Sequence, residues 1–303
     1  MQASTYRASA PGKVNLYLAV GPLRADGYHE VASLYAATQL EERVTMSRGT
    51  LPGLKQTMSV QPDSPVARQV AAGAFDPAQV PLDESNLAYR GAEAVLGERG
   101  LKVADLALEL HIEKAVPVAG GMGGGSADAA AAMKAMDAYL VGEGYASEPL
   151  PLERLLDLAA PLGADVPFAL LGGLALGRGV GDQLTPLELP AGVEPLSFGF
   201  VPSSEGLSTP AVFRELDAGR AAGRYPAADE NLEVPAELLD LLTSRAPKAE
   251  RLPALASLVR NDLAAPALTL QPQLKKVLEV TEQENPGVTS LVSGSGPTIV
   301  YIF

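Results

Sequence analysis

The sequence predicts an α+β fold with two lobes. Segments with strand periodicity and segments with helical periodicity alternate irregularly, and antiparallel hairpin signals occur near both ends of the chain. This mixture favours α+β over a regular parallel βαβ winding. The glycine-rich stretch "GGLALGRGVG" is the candidate boundary. We therefore expect an N-terminal domain over residues 1–175 and a C-terminal domain over residues 176–303.

The N-terminal half begins with strands. Alternating apolar residues predict a strand over Val14–Val20, and the Asp26-Gly27 pair that follows predicts a turn. The stretch "ERVTMSRG" predicts a second strand. Between Gly49 and Asp83 the chain is rich in Pro, Gly, Gln and Ala without a clear period. We expect a long, mobile surface excursion there.

Two helices and a strand surround the most unusual stretch of the chain. Asn86 is a candidate N-cap for a helix that ends at Gly100. The alternation in "LALELHIEK" predicts a strand over Leu106–Lys114. A helix from about Ser126 to Val141 follows a cluster of glycines, and "PLERLLDLAAPLG" predicts a further helix.

The C-terminal half continues the mixture. The stretch over 163–187 is apolar with glycines at intervals, which predicts a loop that leads into strands. The stretch "SFGFVPSS" predicts a further strand. The stretch "STPAVFRELDAG" predicts a short helix opened by Ser208 or Thr209. After a weak signal over 219–237, "LPALASLVRNDLAAPAL" and "PQLKKVLEVTEQENPG" predict one helix each. The stretch "VTSLVSGSGPTIVYIF" predicts a strand, a turn and a strand.

Composition and charge limit the classes of function. The formal net charge of −13 disfavours nucleic-acid binding, although local cations or backbone N–H groups can still bind a small phosphorylated ligand. With no cysteine, disulfides, thiolate zinc sites and thiol nucleophiles are excluded. The N-terminus lacks signal-peptide character, and the longest apolar run is about 12 residues where a membrane span takes about 20. We expect a cytoplasmic protein without a membrane partner, either a monomer or a homodimer.

The glycine cluster lies in "VPVAGGMGGGSADAAAAM", between a predicted strand and a predicted helix. Glycines let a backbone adopt positive φ and approach a ligand closely, and the first N–H groups of a helix lack internal partners at its positive end. Together these features suit a phosphate. The Walker pattern is not met because no lysine follows, and G-x-G-x-x-G fails because Ser126 takes its last position. The alternative is a structural turn before a packing helix.

Three stretches resemble, in order, the motifs of the GHMP small-molecule kinases. They are "APGKVNLYLAV", "PVAGGMGGGSADAA" and "LVSGSGPTIVYIF". The second departs from the usual form at Ala119, where glycine is commoner, and at Ala127, where a second serine is common. The resemblance covers nearly the whole chain. It implies a ribosomal-protein-S5-like N-terminal domain, a ferredoxin-like C-terminal domain and a site in the cleft between them.

The resemblance also bears on the C-terminal end. In the family the third motif packs against the phosphate loop, so its turn over 293–296 is expected to be structural support. Family members usually continue with another helix and strand after this motif. A chain that stops at Phe303 is therefore expected to be either short at its end or a partial version of the C-terminal lobe.

The resemblance implies an ATP-dependent kinase with an alcohol acceptor. ATP with Mg²⁺ would be the phosphate donor, and Ser126 is the implied protein ligand of the ion. The residues implied in ATP binding lie at a helix start and along the glycine cluster. They are Asn86, Leu87, Lys114, Pro117, Val118, Ala119, Gly120, Gly121, Met122, Gly123, Gly124, Gly125, Ser126 and Ala127.

Two residues are implied in catalysis. Asp165, in "GADVPF", would accept or orient the proton of the acceptor hydroxyl, and Lys13, in "PGKVNL", would be the cation beside it. The alternatives are a helix cap for Asp165 and a surface lysine at a strand entry for Lys13. Because loose transition states need little help from a base, the choice between proton removal and alignment stays open at this point.

The stretch "RADGYHEV" is not expected in other GHMP kinases. Together with the motifs above, it resembles a subgroup of the family whose small-molecule acceptor carries a diphosphocytidyl group, and this resemblance implies flat stacking and edge recognition of a base. The alternatives are a turn covered by an aromatic side chain and, for Phe213, a core position on a short helix. The implied acceptor contacts are Asn15, Tyr28, His29, Thr209 and Phe213.

Two rival functions remain. One is another GHMP kinase, of the homoserine or mevalonate type, which the "RADGYHE" turn and Phe213 disfavour. The other is a non-catalytic GHMP-fold protein that holds a nucleotide, which the presence of both Lys13 and Asp165 disfavours.

Overall fold

The computed structural model describes residues 4–203, 205–229, 232–285 and 287–303. Its strands are β1 (Thr5–Leu23), β2 (His29–Arg48), β3 (Gly53–Val60), β4 (Ala107–Lys114), β5 (Leu174–Arg178), β6 (Gln183–Leu187), β7 (Phe198–Val201), β8 (Arg260–Asn261), β9 (Thr289–Val292) and β10 (Ile299–Ile302). Its helices are α1 (Pro65–Ala71), α2 (Leu87–Glu98), α3 (Gly124–Gly142), α4 (Leu152–Ala159), α5 (Val166–Leu171), α6 (Thr209–Ala221), α7 (Ala236–Thr243), α8 (Lys248–Leu258), α9 (Ala264–Leu270) and α10 (Gln273–Glu284). Helices and strands are interleaved, with both parallel and antiparallel pairs, so the predicted α+β class is confirmed.

The chain divides into two compact units. The first consists of Met1–Gly12, Gln39–Val118 and Gly123–Gly172, and the second of Lys13–Thr38, Ala119–Met122 and Gly173–Phe303. Strands β1 and β2 each have residues in both units. The end of the first unit at Gly172 falls in the glycine-rich stretch named above as the candidate boundary.

The sheet of the first unit is built on β4. Leu108, Leu110 and Ile112 of this strand are buried, and the residues between them are half-buried. Strand β4 pairs with the β2 segment from Arg43 to Arg48 in antiparallel register and with β3 in parallel register. The two strands predicted in this region are confirmed.

Helices α2 and α3 pack closely and contribute to the core of the first unit. Asn86 caps α2 as predicted, because its Oδ1 accepts a hydrogen bond from the N–H of Ala88 at 2.8 Å. The alanines of α3 from Ala129 to Ala132 are fully buried. A Cβ on Gly91 of α2 would lie 2.7 Å from the carbonyl oxygen of Ala129. The alanine-rich run therefore allows two helices to approach closely.

The expectation of a long, mobile excursion between Gly49 and Asp83 is wrong. Strand β3 and helix α1 lie in this segment, and a short 3-10 turn follows them. Ser64 caps α1, since its Oγ accepts from the N–H of Ala67 at 3.0 Å. Strand β3 is at the edge of its sheet and pairs with β4, which is distant in sequence. Local periodicity does not reveal such a pairing.

The second unit contains two groups of strands. Strand β5 is antiparallel both to the β2 segment from Ser33 to Ala36 and to β6, and β1 is parallel to β8. Strand β10 lies between β7 and β9 and is antiparallel to both. The strand, turn and strand predicted at the C-terminal end are confirmed.

Two sequence predictions in the second unit need adjustment. The strand predicted over Val14–Val20 is confirmed, but Tyr17 and Ala19 on its other face are buried as well. The single helix predicted over 252–268 is wrong, because α8 ends at Leu258 and the short strand β8 separates it from α9. None of the described helices is long and apolar enough to cross a membrane.

Candidate active site

The glycine loop joins β4 to α3. Its backbone takes positive φ at Ala119 (52°), Gly121 (73°) and Gly123 (71°). Helix α3 begins at Gly124, slightly before the predicted Ser126, and no side chain caps it. The first-turn N–H groups and the positive end of a 19-residue helix therefore meet the loop without a capping acceptor. This arrangement suits phosphate oxygens.

The first turn of α3 also presents a hydroxyl. Ser126 is half-buried, and its side chain has no hydrogen-bond partner among the residues that the structure describes. A Cβ on the exposed Gly125 would lie 3.5 Å from Cδ1 of Leu87, so an apolar side chain is beside the loop. Asn86 uses its amide within the chain, since its Nδ2 donates to the carbonyl of Pro81 at 2.6 Å in addition to the cap.

The loop is held from one side by the third motif. A Cβ on Gly121 would overlap the carbonyl oxygen of Ser293 and would lie 2.9 Å from the nitrogen and oxygen of Gly296. The Ser293 hydroxyl donates to the Gly121 carbonyl at 3.2 Å. Only glycine fits at this position, and the expected contact between the third motif and the phosphate loop is confirmed.

Lys13 is buried rather than a surface lysine. It is 8% exposed, and its Nζ donates to Oδ1 of Asn15 at 2.7 Å. Asn15 in turn donates from Nδ2 to Oγ of Ser33 at 2.7 Å. The same ammonium lies 5.8 Å from the ring centroid of Tyr35. These contacts help to orient the Lys13 side chain, and sequence reasoning missed Ser33 and Tyr35.

Asn261, which sequence reasoning also missed, fixes the turn that faces Lys13. Its Nδ2 donates to the carbonyls of Val292 at 2.8 Å and Gly294 at 2.7 Å, and its Oδ1 accepts from the N–H of Leu263 at 2.9 Å. A Cβ on Gly294 would lie 3.0 Å from Nζ of Lys13. The third motif therefore contacts both the glycine loop and Lys13.

Asp165 occupies the N-cap position of α5. Its side chain makes no capping hydrogen bond and is half-buried. The helix-cap alternative is therefore not supported. The catalytic role of Asp165 stays a prediction.

A cluster of three buried charges lies where β4 leads into the loop. Lys114 is 3% exposed, and its Nζ lies 2.8 Å from Oε1 of Glu42 and 2.6 Å from Oδ2 of Asp128. Oε2 of Glu42 accepts from the N–H of Ala115 at 2.8 Å. These bonds link β2, the entrance of the loop and α3. Because the Lys114 ammonium is paired with two carboxylates, its side chain is committed to this cluster.

The pKa values of the cluster follow from burial and charge. Burial raises the pKa of Glu42 from its ordinary 4.5 to about 7, although the attraction of Lys114 opposes this rise. Burial likewise raises the pKa of Asp128. Burial alone would lower the pKa of Lys114, but the two carboxylates outweigh it and hold that pKa above its ordinary value.

The predicted acceptor residues lie on β1 (Asn15), just before and at the start of β2 (Tyr28 and His29), and on α6 (Thr209 and Phe213). The rings of His29 and Phe213 stack at 5.0 Å between centroids with 28° between planes. At that distance the two rings touch, and a base has no room between them. Nε2 of His29 lies 2.9 Å from Oδ1 of Asp217. Tyr28 is 63% exposed, so its ring is accessible to a ligand.

Thr209 completes the predicted set of acceptor residues. Thr209 begins α6, and its Oγ1 lies 2.8 Å from Oγ of Ser295 in the third motif. The other histidine of the chain, His111, lies on β4, and both its ring nitrogens are hydrogen-bonded, to Thr57 and Ser59 at 2.8 Å each.

Comparison with known proteins defines the class. Residues 86–173 match the model of the GHMP kinases N terminal domain. A relative from Paenarthrobacter aurescens, named 4-diphosphocytidyl-2-C-methyl-D-erythritol kinase, is 44% identical over 99% of this chain and 86% of its own length. A crystal structure of 4-(cytidine 5'-diphospho)-2C-methyl-D-erythritol kinase is 30% identical, with a TM-score of 0.66 and coverage of 98% of this chain and 89% of that one. A homoserine kinase from Cytophaga hutchinsonii shares the fold, with a TM-score of 0.63, 16% identity and coverage of 100% and 86%.

The match, the fold and the glycine loop define an ATP-dependent small-molecule kinase. The chain belongs to the GHMP kinases and, among them, to the family of the 4-diphosphocytidyl-2-C-methyl-D-erythritol kinases.

Proposed function

We propose that this chain transfers the γ-phosphate of ATP to the 2-hydroxyl of 4-diphosphocytidyl-2-C-methyl-D-erythritol, which yields ADP and the 2-phosphate. The reaction belongs to the non-mevalonate route to isoprenoid precursors. The observation that carries the choice of acceptor is the ring pair of His29 and Phe213 at 5.0 Å. Homoserine and mevalonate have no ring that such a surface would recognise. The relative that is 44% identical and named for this kinase supports the same choice.

ATP binding is assigned to the glycine loop and the start of α3. Phosphate oxygens would accept from the N–H groups between Gly120 and Gly125, where no side chain caps the helix. The apolar side chain of Leu87 beside Gly125 suits a face of the adenine. Lys114 would support the loop from its buried ion pairs rather than contact a phosphate with its ammonium.

Ser126 is the residue that fits a magnesium ion. Its hydroxyl at the start of α3 has no partner in the described part of the chain. That part also contains no group of three acidic, His or Cys residues that could hold a metal ion alone. This suits Mg²⁺, which usually keeps several waters and binds through substrate phosphates. The ion, when bound, neutralises charge on the phosphates.

The transfer step needs a held hydroxyl and a stabilised charge. The 2-oxygen forms a bond to the γ-phosphorus while the bond from that phosphorus to the bridging oxygen of ADP breaks. Asp165 receives or aligns the hydroxyl proton. Lys13, held by Asn15, stabilises the negative charge at the reacting oxygens.

The cytosine is assigned to Tyr28, which directly precedes β2, and to the aromatic residues of β2 and α6. Tyr28 is exposed and offers a stacking face, and Phe213 closes the other face of the base. His29 contributes an edge contact, because its own face is covered by Phe213. Asn15 and Thr209 are assigned to hydroxyl and phosphate contacts.

The enzyme is proposed to act in the cytoplasm, as a monomer or homodimer and without a nucleic-acid partner. An assay of ADP release tests its reaction. ATP and Mg²⁺ are supplied with the diphosphocytidyl substrate, with homoserine, with mevalonate or with no acceptor. We expect ADP release above background with the diphosphocytidyl substrate only. Release with homoserine or mevalonate instead would assign another GHMP activity, and a folded, ATP-binding chain that is inactive with all acceptors would be a non-catalytic protein.

Variants then separate the roles. Asp165→Asn is expected to lose most turnover while ATP binding stays largely intact. The matched control is Asp157→Asn on α4, where the side chain is 62% exposed and pairs only weakly with Arg154. His29→Ala is expected to raise the inhibition constant of cytidine diphosphate and to leave the KM of ATP unchanged. Near-normal turnover by Asp165→Asn would remove Asp165 from the mechanism.

A further inference from the structure

Asp217 contacts a residue of the proposed nucleobase site. It lies four residues after Phe213 on α6, so both side chains are on one face of the helix. The Phe213 ring stacks on His29, and Oδ1 of Asp217 lies 2.9 Å from Nε2 of the same histidine. The His29 side chain is 5% exposed and that of Asp217 is 34% exposed. The histidine is therefore constrained at its face and at one nitrogen.

The carboxylate determines where the His29 proton resides. An ionised carboxylate can only accept a hydrogen bond, so Nε2 must carry the hydrogen. In a neutral ring the other nitrogen, Nδ1, then has a lone pair and acts as an acceptor. Among the described residues the His29 ring has one hydrogen-bond partner, Asp217, so Nδ1 is left for a ligand.

We propose that Asp217 is a positioning residue that makes the nucleobase site selective for cytosine over uracil. It holds His29 in the tautomer whose Nδ1 accepts from the exocyclic amine of cytosine. Uracil has a carbonyl oxygen in place of that amine, and two acceptors facing each other would leave both unpaired. The proposal rests on the proposed function, which assigns cytosine to His29.

The stacking on Phe213 restricts the rotation of the His29 ring. A 180° flip of the ring would place a carbon where Nε2 meets Asp217 and so break that contact, and other rotations would break the stacking at 5.0 Å. A site built to hydrogen-bond a polar group discriminates strongly against an analogue that lacks the matching group. We expect the wild type to bind cytidine diphosphate about tenfold or more tightly than uridine diphosphate. A variant without the Asp217 carboxylate should lose most of this preference.

Competition measures the preference. Inhibition constants of cytidine diphosphate and uridine diphosphate are determined against the diphosphocytidyl substrate, for the wild type, Asp217→Ala and Asp217→Glu. The ratio of the two constants is the readout, because a merely structural loss would weaken both ligands alike. Asp217→Ala should bring the ratio close to one, and Asp217→Glu should retain most of it. The control Glu215→Ala truncates an acid of the same helix that pairs with Arg224 and should keep the wild-type ratio.

Nitrogen-15 spectra report the tautomer directly. The chain has two histidines, so His111→Gln assigns the signals of the labelled protein. At about pH 8.5, where an ordinary histidine is neutral, wild-type His29 should carry its proton on Nε2, and Asp217→Ala should shift it toward a mixture. A proton on Nδ1 in the wild type, or an unchanged tautomer and ratio in Asp217→Ala, overturns the role of Asp217.

The outcomes separate this role from the proposed function. If the wild type prefers cytidine diphosphate and Asp217→Ala keeps that preference, only the positioning role fails. If neither nucleotide competes with the substrate, or both compete equally, the nucleobase site itself is wrong and the role of Asp217 falls with it.

Discussion

Replacing Lys114 with methionine tests the buried charge cluster. Methionine has a similar length but no charge, so Lys114→Met leaves the carboxylates of Glu42 and Asp128 buried without their cation. Both lie within 2.8 Å of the ammonium in the native chain. Coulomb's law with an effective dielectric constant of about 20 gives an attraction of about 6 kcal/mol for each pair. The cost of burying the ammonium offsets much of this, and breaking a buried pair is expected to cost about 3–5 kcal/mol in net terms.

The loss should depend on pH. The pKa of Glu42 in the folded chain is about 7, above its ordinary value of 4.5, so the folded state binds this proton more tightly than the unfolded state. The stability that protonation contributes is therefore complete below pH 4.5 and is lost as the pH rises through about 7. Removing the Lys114 cation raises the carboxyl pKa values further. The free energy of unfolding of the variant should therefore fall furthest below that of the wild type at about pH 8, and much less at about pH 5.5.

Urea titration followed by circular dichroism measures the effect, since the chain has no tryptophan to report by fluorescence. Wild type and variant are compared at both pH values. Lys55→Met on the exposed side of β3 is the control and should change the free energy of unfolding by less than about 0.5 kcal/mol. Adding Glu42→Gln to Lys114→Met should recover part of the loss. A loss in Lys114→Met below about 1 kcal/mol, equal at both pH values, would refute the reasoning.

Three further substitutions test the loop and its supports. Gly121→Ala should destabilise the chain by more than about 2 kcal/mol and weaken ATP binding, because a Cβ at this positive φ would overlap the carbonyl oxygen of Ser293. The control Gly97→Ala in α2, where the added Cβ meets open space, should leave the free energy of unfolding unchanged or raise it. Equal losses of stability for the two variants in urea titration would contradict this reasoning. Asn261→Ala should cost roughly 1–3 kcal/mol in the same titration, since it leaves two carbonyls of the third motif without their donor. Lys13→Ala should lower kcat by about 10²–10³ with little change in ATP affinity by calorimetry, and a loss confined to affinity would assign it to binding instead.

Elements with local signals were predictable from the sequence. Alternation identified β4, an asparagine cap identified the start of α2, and a glycine-serine turn between apolar runs identified the hairpin of β9 and β10. Each of these signals is complete within a few residues of the chain. The segment of β3 and α1 lacked them, because β3 is an edge strand whose partner is distant in sequence. The break between α8 and α9 was missed because Asn261 serves the third motif instead of a helix.

The residues of the candidate site that lie in a sequence motif were predictable. The contacts that depend on packing between distant parts of the chain were not. Gly121 was identified from the motif, but its close contact with Ser293 depends on residues far along the chain. Asp217 shares a helix face with Phe213 and could have been found once Phe213 was paired with His29. Glu42 had a usable signal as well. It continues the buried alternation of Val44 and Met46, which places a carboxylate on an apolar face.

The environment of Lys114 also explains why the loop needs charge from elsewhere. No lysine directly follows the glycines, and Lys114, the nearest before them, is paired with two carboxylates. Fully ionised, this cluster would carry a net negative charge at the base of α3, where it would oppose a bound triphosphate. Burial raises the pKa of Glu42 to about 7, and a proton on that residue brings the cluster to zero net charge. An anion at the loop should therefore favour protonation further, while Lys13, whose Nζ donates to Oδ1 of Asn15, remains the first candidate for the charge that the transferred phosphate requires.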